Sequence, residues 1–269
     1  MMITGRMLLN KTKYIFYLAV IALFFLAADA CKKEGGGVAP PENPSGILEK
    51  LDVFDLDVTE PSGLSFGPDK QTLLTVSDNT NKVYELDLQG NIIRELAYEG
   101  NDLEGVTYCP ARNMIAVVEE RKREIVFLDY EQGNEMGRFK IETGGDTDNK
   151  GLEGISFNPK NNAFYLVNED APGELIIWNE QYGIIDKTEL HFAGDYSGIN
   201  VDAENALLWI VSDESQTLYK CDYNAGVMKE YGLDRTKYEG VIVDAENNRV
   251  YLVNDRENTL SVYQIKNNK

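Results

Sequence analysis

Acidic side chains recur in this chain at fixed places relative to a repeated glycine. The glycine falls at Gly63, Gly105, Gly154, Gly198 and Gly240, at spacings of 42, 49, 44 and 42 residues. The residue before it is Ser62, Glu104, Glu153, Ser197 or Glu239. A second column, at the end of the apolar run that follows, is acidic in every copy: Asp78, Glu120, Glu169, Asp213 and Asp255. Carboxylates gathered in one place repel unless they are protonated, paired or bridged by a cation. A hard cation that takes six to eight oxygen ligands is one solution, and it points to Ca²⁺. Glu104, Glu153, Glu239, Glu169 and Asp213 are therefore candidate metal ligands. Ser62, Asp78, Glu120, Ser197 and Asp255 form a wider candidate binding set. Glu60, Asp102, Asp170, Asp195 and Glu214 add further acids, Asn168 and Asn254 add neutral oxygens, and Arg121, Arg256 and Lys237 are local counter-charges. The competing use is structural: a carboxylate at one point of each repeat can accept backbone N–H groups of the next repeat.

Other chemistry is thinly represented. His191 is the single histidine, which argues against a Ser-His-Asp triad, a histidine dyad and the usual zinc hydrolases. No glycine-rich loop leads into a helix, so no nucleotide fingerprint is present, and no residue is assigned as catalytic. Within Glu142 to Gly151, ETGGDTDNKG, the residues Asp146, Asp148 and Gly151 match the start of an EF-hand loop. Lys150 and Phe157 stand where that loop needs oxygen ligands, so a solvated loop is expected. Trp178 and Trp209 read as core residues.

The repeat also dictates the elements that carry these columns. After each glycine comes a tight turn at Pro68, Pro110, Pro159, Ala203 or Ala245. The runs TLLTV, MIAVV, AFYLV, LLWIV and RVYLV follow, rich in β-branched and bulky residues, as suits strands buried on both faces. A third strand ends at Asp87, Asp129, Asn179, Asp222 or Gln264, and the first four copies add a hairpin glycine at Gly90, Gly133, Gly183 or Gly226. A fourth strand follows in those copies. The last copy stops without one, and Ile47 to Val58 precedes the first copy as an unassigned strand. Four strands in a period near 45 residues specify an all-β fold, a β-propeller of four-stranded blades. Five blades are expected, the last closed by the N-terminal strand, which hides the sheet edges. Six would require a repeat for which 47–269 has no room.

Ahead of this domain, 1–30 reads as a signal peptide. Arg6, Lys11 and Lys13 precede a thirteen-residue apolar run, Tyr14 to Leu26, too short to span a membrane. Small residues then lead to Cys31, which resembles a lipoprotein acylation site, although Asp29 is unusual there and ordinary cleavage after Ala30 is the alternative. Residues 31–46 read as the lipidated cysteine and a flexible tether. The expected location is the bacterial envelope, at the outer membrane and with possible surface exposure, with membrane contact through the lipid alone. A net charge of −19 argues against nucleic acid and anionic lipid as partners. The partner is left as a small ligand or an envelope protein, and a monomer is expected. Cys109 and Cys221 fall in non-adjacent blades and read as buried free thiols.

Six ordered motifs carry a resemblance. They are EPSGLSF at Glu60 to Phe66, DLEGVTY at Asp102 to Tyr108, VVEER at Val117 to Arg121, NKGLEGISF at Asn149 to Phe157, VSDES at Val211 to Ser215 and YEGVIVD at Tyr238 to Asp244. Together they resemble the SdiA-regulated (YjiK-like) domain family, bacterial lipoproteins included. The resemblance implies an exported or envelope-anchored β-propeller and no established reaction. The Glu-Gly step is also similar to that of lactonase-like and phytase-like propellers with Ca²⁺ in the central channel, a likeness of fold that does not carry function. Two functions from different classes follow. One is a Ca²⁺-binding module whose acidic mouth engages a ligand or partner. The other is a Ca²⁺-assisted hydrolase of phosphoester or lactone type, with a glutamate such as Glu153 as base. A purely structural scaffold is the third.

Overall fold

The computed structural model describes residues 46–144, 150–169 and 172–266, all within the compact unit that runs from Asn43 to Lys269. The expected signal peptide, Cys31 and the expected tether up to residue 45 lie outside the described residues, as do Asp170 and residues 145–149 of the 142–151 loop.

Five four-stranded antiparallel sheets form a five-bladed β-propeller. Blade 1 holds β2 (Pro61–Phe66), β3 (Leu73–Ser77), β4 (Lys82–Leu86) and β5 (Ile92–Glu99); blade 2 holds β6 (Leu103–Cys109), β7 (Met114–Glu119), β8 (Glu124–Asp129) and β9 (Glu135–Lys140). Blade 3 holds β10 (Leu152–Asn158), β11 (Ala163–Asn168), β12 (Glu174–Asn179) and β13 (Gly183–Glu189); blade 4 holds β14 (Gly198–Asp202), β15 (Leu207–Ser212), β16 (Thr217–Asp222) and β17 (Val227–Gly232). Blade 5 takes β18 (Tyr238–Asp244), β19 (Arg249–Asn254) and β20 (Thr259–Lys266), and is completed by β1 (Ile47–Asp55), which pairs antiparallel with β20. The N-terminal strand thus closes the ring as expected. It ends at Asp55, and Leu56 and Val58 turn inward to pack between blades 5 and 1.

The second strand of each blade explains the runs of apolar residues. Its alternate side chains enter two different cores. In β11, Phe164 and Leu166 pack toward blade 2, while Tyr165 and Val167 pack toward blade 4. In β15, Leu208 and Ile210 face blade 3, while Trp209 and Val211 face blade 5. Burial on both faces removes the period-two alternation of a half-exposed strand. The fourth strands face solvent, with Ile93, Ile185, Met136 and Met228 exposed, and β5 and β9 alternate over most of their length.

The repeated glycine has a steric cause. A Cβ on Gly63 would lie 2.8 Å from Gly105 Cα, one on Gly154 would lie 2.9 Å from Gly198 Cα, and one on Gly240 would lie 2.6 Å from the Gly63 carbonyl carbon. Gly105 and Gly198 abut the carbonyl oxygens of Glu153 and Glu239 in the same way. The innermost strands therefore meet around the axis with backbone against backbone, and no side chain fits between them.

Below this ring lies a seam that the repeat pattern alone does not single out. Ser65 Oγ, Thr107 Oγ1, Ser156 Oγ and Asn200 Oδ1 accept the backbone N–H groups of Tyr108, Phe157, Val201 and Val243 in the next blade. Each acceptor stands two residues after its glycine. Ile242 holds that place in blade 5, so the hydrogen-bonded belt has one apolar step.

The hairpins follow the expected chemistry with one change. Asp87 and Asp129 accept turn N–H groups, and Gly90 and Gly133 take positive φ. In blade 4, Ala225 rather than Gly226 takes the left-handed conformation, at φ 61°, while Asp222 accepts the Gly226 N–H. Cys109 and Cys221 are buried and free, and burial pushes both thiols up. Trp178 and Trp209 are buried in the cores. His191 is exposed just past β13.

Candidate cation site at the channel mouth

A bulge and a clip aim the acids. In blades 2, 3 and 5 the pairing register slips at the residue before the glycine, so Glu104, Glu153 and Glu239 have no cross-strand partner. A bulge of this kind re-aims a side chain, here into the channel. The clip joins the acidic column to the residue three before the glycine. The backbone N–H of Asp78, Glu120, Glu169 and Asp255 donates to the carbonyl of Glu60, Asp102, Gly151 and Lys237 in the same blade. Glu60, Asp102 and Lys237 hold positive φ there, at 47°, 61° and 67°. This third column was missed as a column, although its constant offset from the glycine makes it legible.

The result is a cavity of about 390 Å³. All ten predicted site residues line it: Ser62, Asp78, Glu104, Glu120, Glu153, Glu169, Ser197, Asp213, Glu239 and Asp255. Glu60, Asp195, Glu214 and Lys237 complete the wall. Asn168 and Asn254 do not join them. Asn254 is consumed by its loop, donating to the Thr236 carbonyl and accepting from Glu257 N–H, and Asn168 donates to the Pro172 carbonyl.

Each seam between blades combines an acid from one blade with lead-in residues of the next. Asp78 meets Asp102 and Glu104, with carboxylate oxygens of all three within 4.8 Å of one another. Glu120, Glu153 and Glu169 form the same kind of group. Asp213 instead meets Lys237, whose Nζ lies 2.9 Å from Asp213 Oδ2 and 3.3 Å from Glu239 Oε1. Arg121 reaches Asp102 Oδ2 at 2.9 Å from outside the mouth.

Part of the acidic column is structural as well. Glu120 Oε1 accepts the Gly151 N–H at 3.0 Å, and Asp213 Oδ1 accepts the Lys237 N–H, each across a seam. Asp195 is more fully engaged. It accepts from Ser212 Oγ, Ser197 Oγ and the Glu214 N–H.

Electrostatics follow from burial and crowding. Burial, reinforced by the charge of Asp78, drives the Glu104 carboxyl well above the usual carboxylate range. Burial does the same to Glu153, with the charges of Glu104 and Glu120 adding to it. Glu120 is pushed up to about 7 by burial, against the Gly151 N–H and with Asp102 assisting. Glu239 reaches about 7, burial outweighing the attraction of Lys237. Burial and Asp102 raise Asp78 to about 6. Lys237 is itself held above its usual value, because Glu239 and Asp213 outweigh its burial.

Three carboxylates whose oxygens lie within 4.8 Å of one another are hard oxygen donors placed closely enough to share one cation. Among the described residues, no helix is long and apolar enough to cross a membrane.

A family model described as SdiA-regulated matches residues 50–255, from β1 through the acidic residue that follows β19. The fold, the ordered motifs and this match agree, and the chain belongs to the SdiA-regulated family.

Proposed function

We propose that this protein is a Ca²⁺-binding module, held at the cell envelope by a lipid on Cys31, whose acidic channel mouth engages a ligand. The observation that carries this is the convergence of eleven carboxylates, two serines and a single lysine on one cavity. Among the described residues no apolar side chain lines it, which is unlike the mostly apolar pockets that take drug-sized organic molecules. Glu104 with Asp78, and Glu153 with Glu120 and Glu169, would hold the ion. Glu239 and Asp213 are occupied with Lys237 and would contribute less. The ion supplies charge neutralisation, which a cationic group of a ligand can supply in its place.

Calorimetric titration of the 47–269 domain with CaCl₂ and MgCl₂ tests this. Saturable Ca²⁺ binding, lost in Glu104→Gln and Glu153→Gln and retained in Glu239→Gln, is expected. No heat and no thermal shift with Ca²⁺ would remove the proposal. Membrane fractionation of Cys31→Ser tests the anchor, since the variant is expected in the soluble fraction.

One observation favours the hydrolase as a second reading: Glu153 is buried with a raised pKa, the property a general base or acid at neutral pH needs. The wall of like charge disfavours a phosphoester dianion, so a neutral lactone is the better substrate class. Turnover of a lactone panel by the Ca²⁺-loaded protein, abolished in Glu153→Gln, would establish it.

A further inference from the structure

Two features of the mouth indicate what enters it, and both rest on the reading of the mouth as a cation receptor. The first is Lys237. The seam between blades 4 and 5 is built like those between blades 1 and 2 and between blades 2 and 3, from an acid that follows a second strand (Asp213) and a glutamate that leads into the next blade (Glu239). A primary ammonium bridges that pair, and it belongs to the chain itself. The corresponding pairs are Asp78 with Glu104 and Glu120 with Glu153. At the place of Lys237 these seams carry Asp102, which turns to Arg121, and Gly151, which has no side chain. The fold therefore displays, at one seam, the kind of group that the other two are shaped to accept.

The second feature is Glu153. Its residue surface is 9% exposed, and its carboxylate faces the cavity beside Glu120 and Glu169. Among the described residues no hydrogen-bond donor and no lysine or arginine pairs with it. A buried carboxylate without a partner is costly, and a donor brought by a ligand relieves that cost.

We propose that the ligand of this mouth carries a primary ammonium at the end of an alkyl chain. The ammonium enters the seam between blades 2 and 3, where Glu120 and Glu153 stand in the places that Asp213 and Glu239 hold around Lys237. Three N–H donors on an ammonium suit clustered carboxylates. The pair Asp78 and Glu104, one seam away, receives a second amine. A wall that shows no apolar side chain among the described residues calls for an amine-rich ligand with little uninterrupted hydrocarbon. Such a group comes either from a free polyamine or from a lysine side chain of a partner protein.

Calorimetric titrations of the wild-type domain with putrescine, N-acetyl-lysine methylamide, tetramethylammonium and CaCl₂ separate the possibilities. Saturable binding of putrescine or of the lysine derivative is expected. Tetramethylammonium, which has charge but no N–H, should bind at least about tenfold more weakly, as should either amine to Glu153→Gln, the loss expected for one charge-assisted hydrogen bond. Binding of putrescine alone identifies a free polyamine, and binding of the lysine derivative alone identifies a protein lysine. Both results support the proposal. Calcium binding with no amine binding overturns it and leaves the cation receptor standing. No binding of any cation removes both. Tetramethylammonium binding as well as the amines do also overturns it. A second variant keeps the test independent of Glu153. Lys237→Met vacates the internal site, so ethylammonium should raise its melting temperature more than that of the wild type. Equal shifts would contradict the assignment of Lys237 as an internal mimic of the ligand.

Discussion

Glu153 and Glu239 hold the same position in the repeat, yet their surroundings differ by one cation. Lys237 reaches Glu239 at 3.3 Å, whereas Glu153 is surrounded by other carboxylates. A carboxyl whose pKa is raised in the folded state binds its proton more tightly than in the unfolded chain, so its contribution to stability is lost as pH rises through the folded value. In cation-free protein, Glu153→Gln is therefore expected to be near neutral at pH 5 and stabilising at pH 8. The gain should be about 2–4 °C in melting temperature for each kcal/mol of repulsion relieved. Glu239→Gln should gain less, because Lys237 already offsets that charge. Thermal melts of both variants in chelator at the two pH values check this, and a Glu153→Gln melting temperature that tracks wild type at pH 8 would contradict it. That these ten residues line one cavity was legible because their offsets from the glycine are constant, and constant offsets in a ring place side chains at one rim. Which of them are paired was not legible. That depends on a left-handed residue at Lys237, on bulges at Glu104, Glu153 and Glu239, and on loops that consume Asn254.

At the scale of elements, the glycine column is a contact between neighbouring inner strands rather than a turn device. A methyl group on Gly154 would sit 2.8 Å from Ile199 N and 2.9 Å from Gly198 Cα, both backbone atoms that cannot step aside. Gly232, at the end of β17, has open space within 4 Å of the point where a Cβ would stand and serves as the control. Gly154→Ala is expected to destabilise by about 1–3 kcal/mol through overpacking, while Gly232→Ala stays within about 0.5 kcal/mol of wild type. Urea unfolding midpoints of the two variants decide it. Equal midpoints would mean that the inner strands are not held as closely as the structure shows. The strands themselves were legible from composition and period. The polar belt of Ser65, Thr107, Ser156 and Asn200 was harder to see: the column recurs two residues after the glycine, but its role as acceptor shows only when the next blade is placed beside it. The hairpin of blade 4 shows the same limit. Ala225 takes positive φ beside an available Gly226, a choice set by how β16 meets β17.

For the molecule as a whole, closure is what brings the charges together. β1 completes the blade formed by the last three strands, so both ends of the propeller chain are tied into one sheet and the five inner strands are held around one axis. That constraint, acting on a chain of net charge −19, concentrates carboxylates that an open array would spread apart. The cation-free mouth then relieves its repulsion by holding protons, with Asp78 at about 6 and Glu120 and Glu239 at about 7. A cation and these protons compete for the same oxygens, so binding must release protons and must weaken as pH falls through this range. Because the unfolded chain would lose those protons nearer its ordinary carboxylate values, the cation-free domain should lose stability from about pH 5 to about pH 8, and saturating cation should restore it. Titration with Ca²⁺ at pH 6.5 in two buffers of different ionisation enthalpy measures the released protons directly. At least about one proton per ion is expected, falling toward zero at pH 8.5, where the mouth is already ionised. A binding heat independent of buffer at pH 6.5 would show that the carboxylates of the mouth are not those that meet the ion.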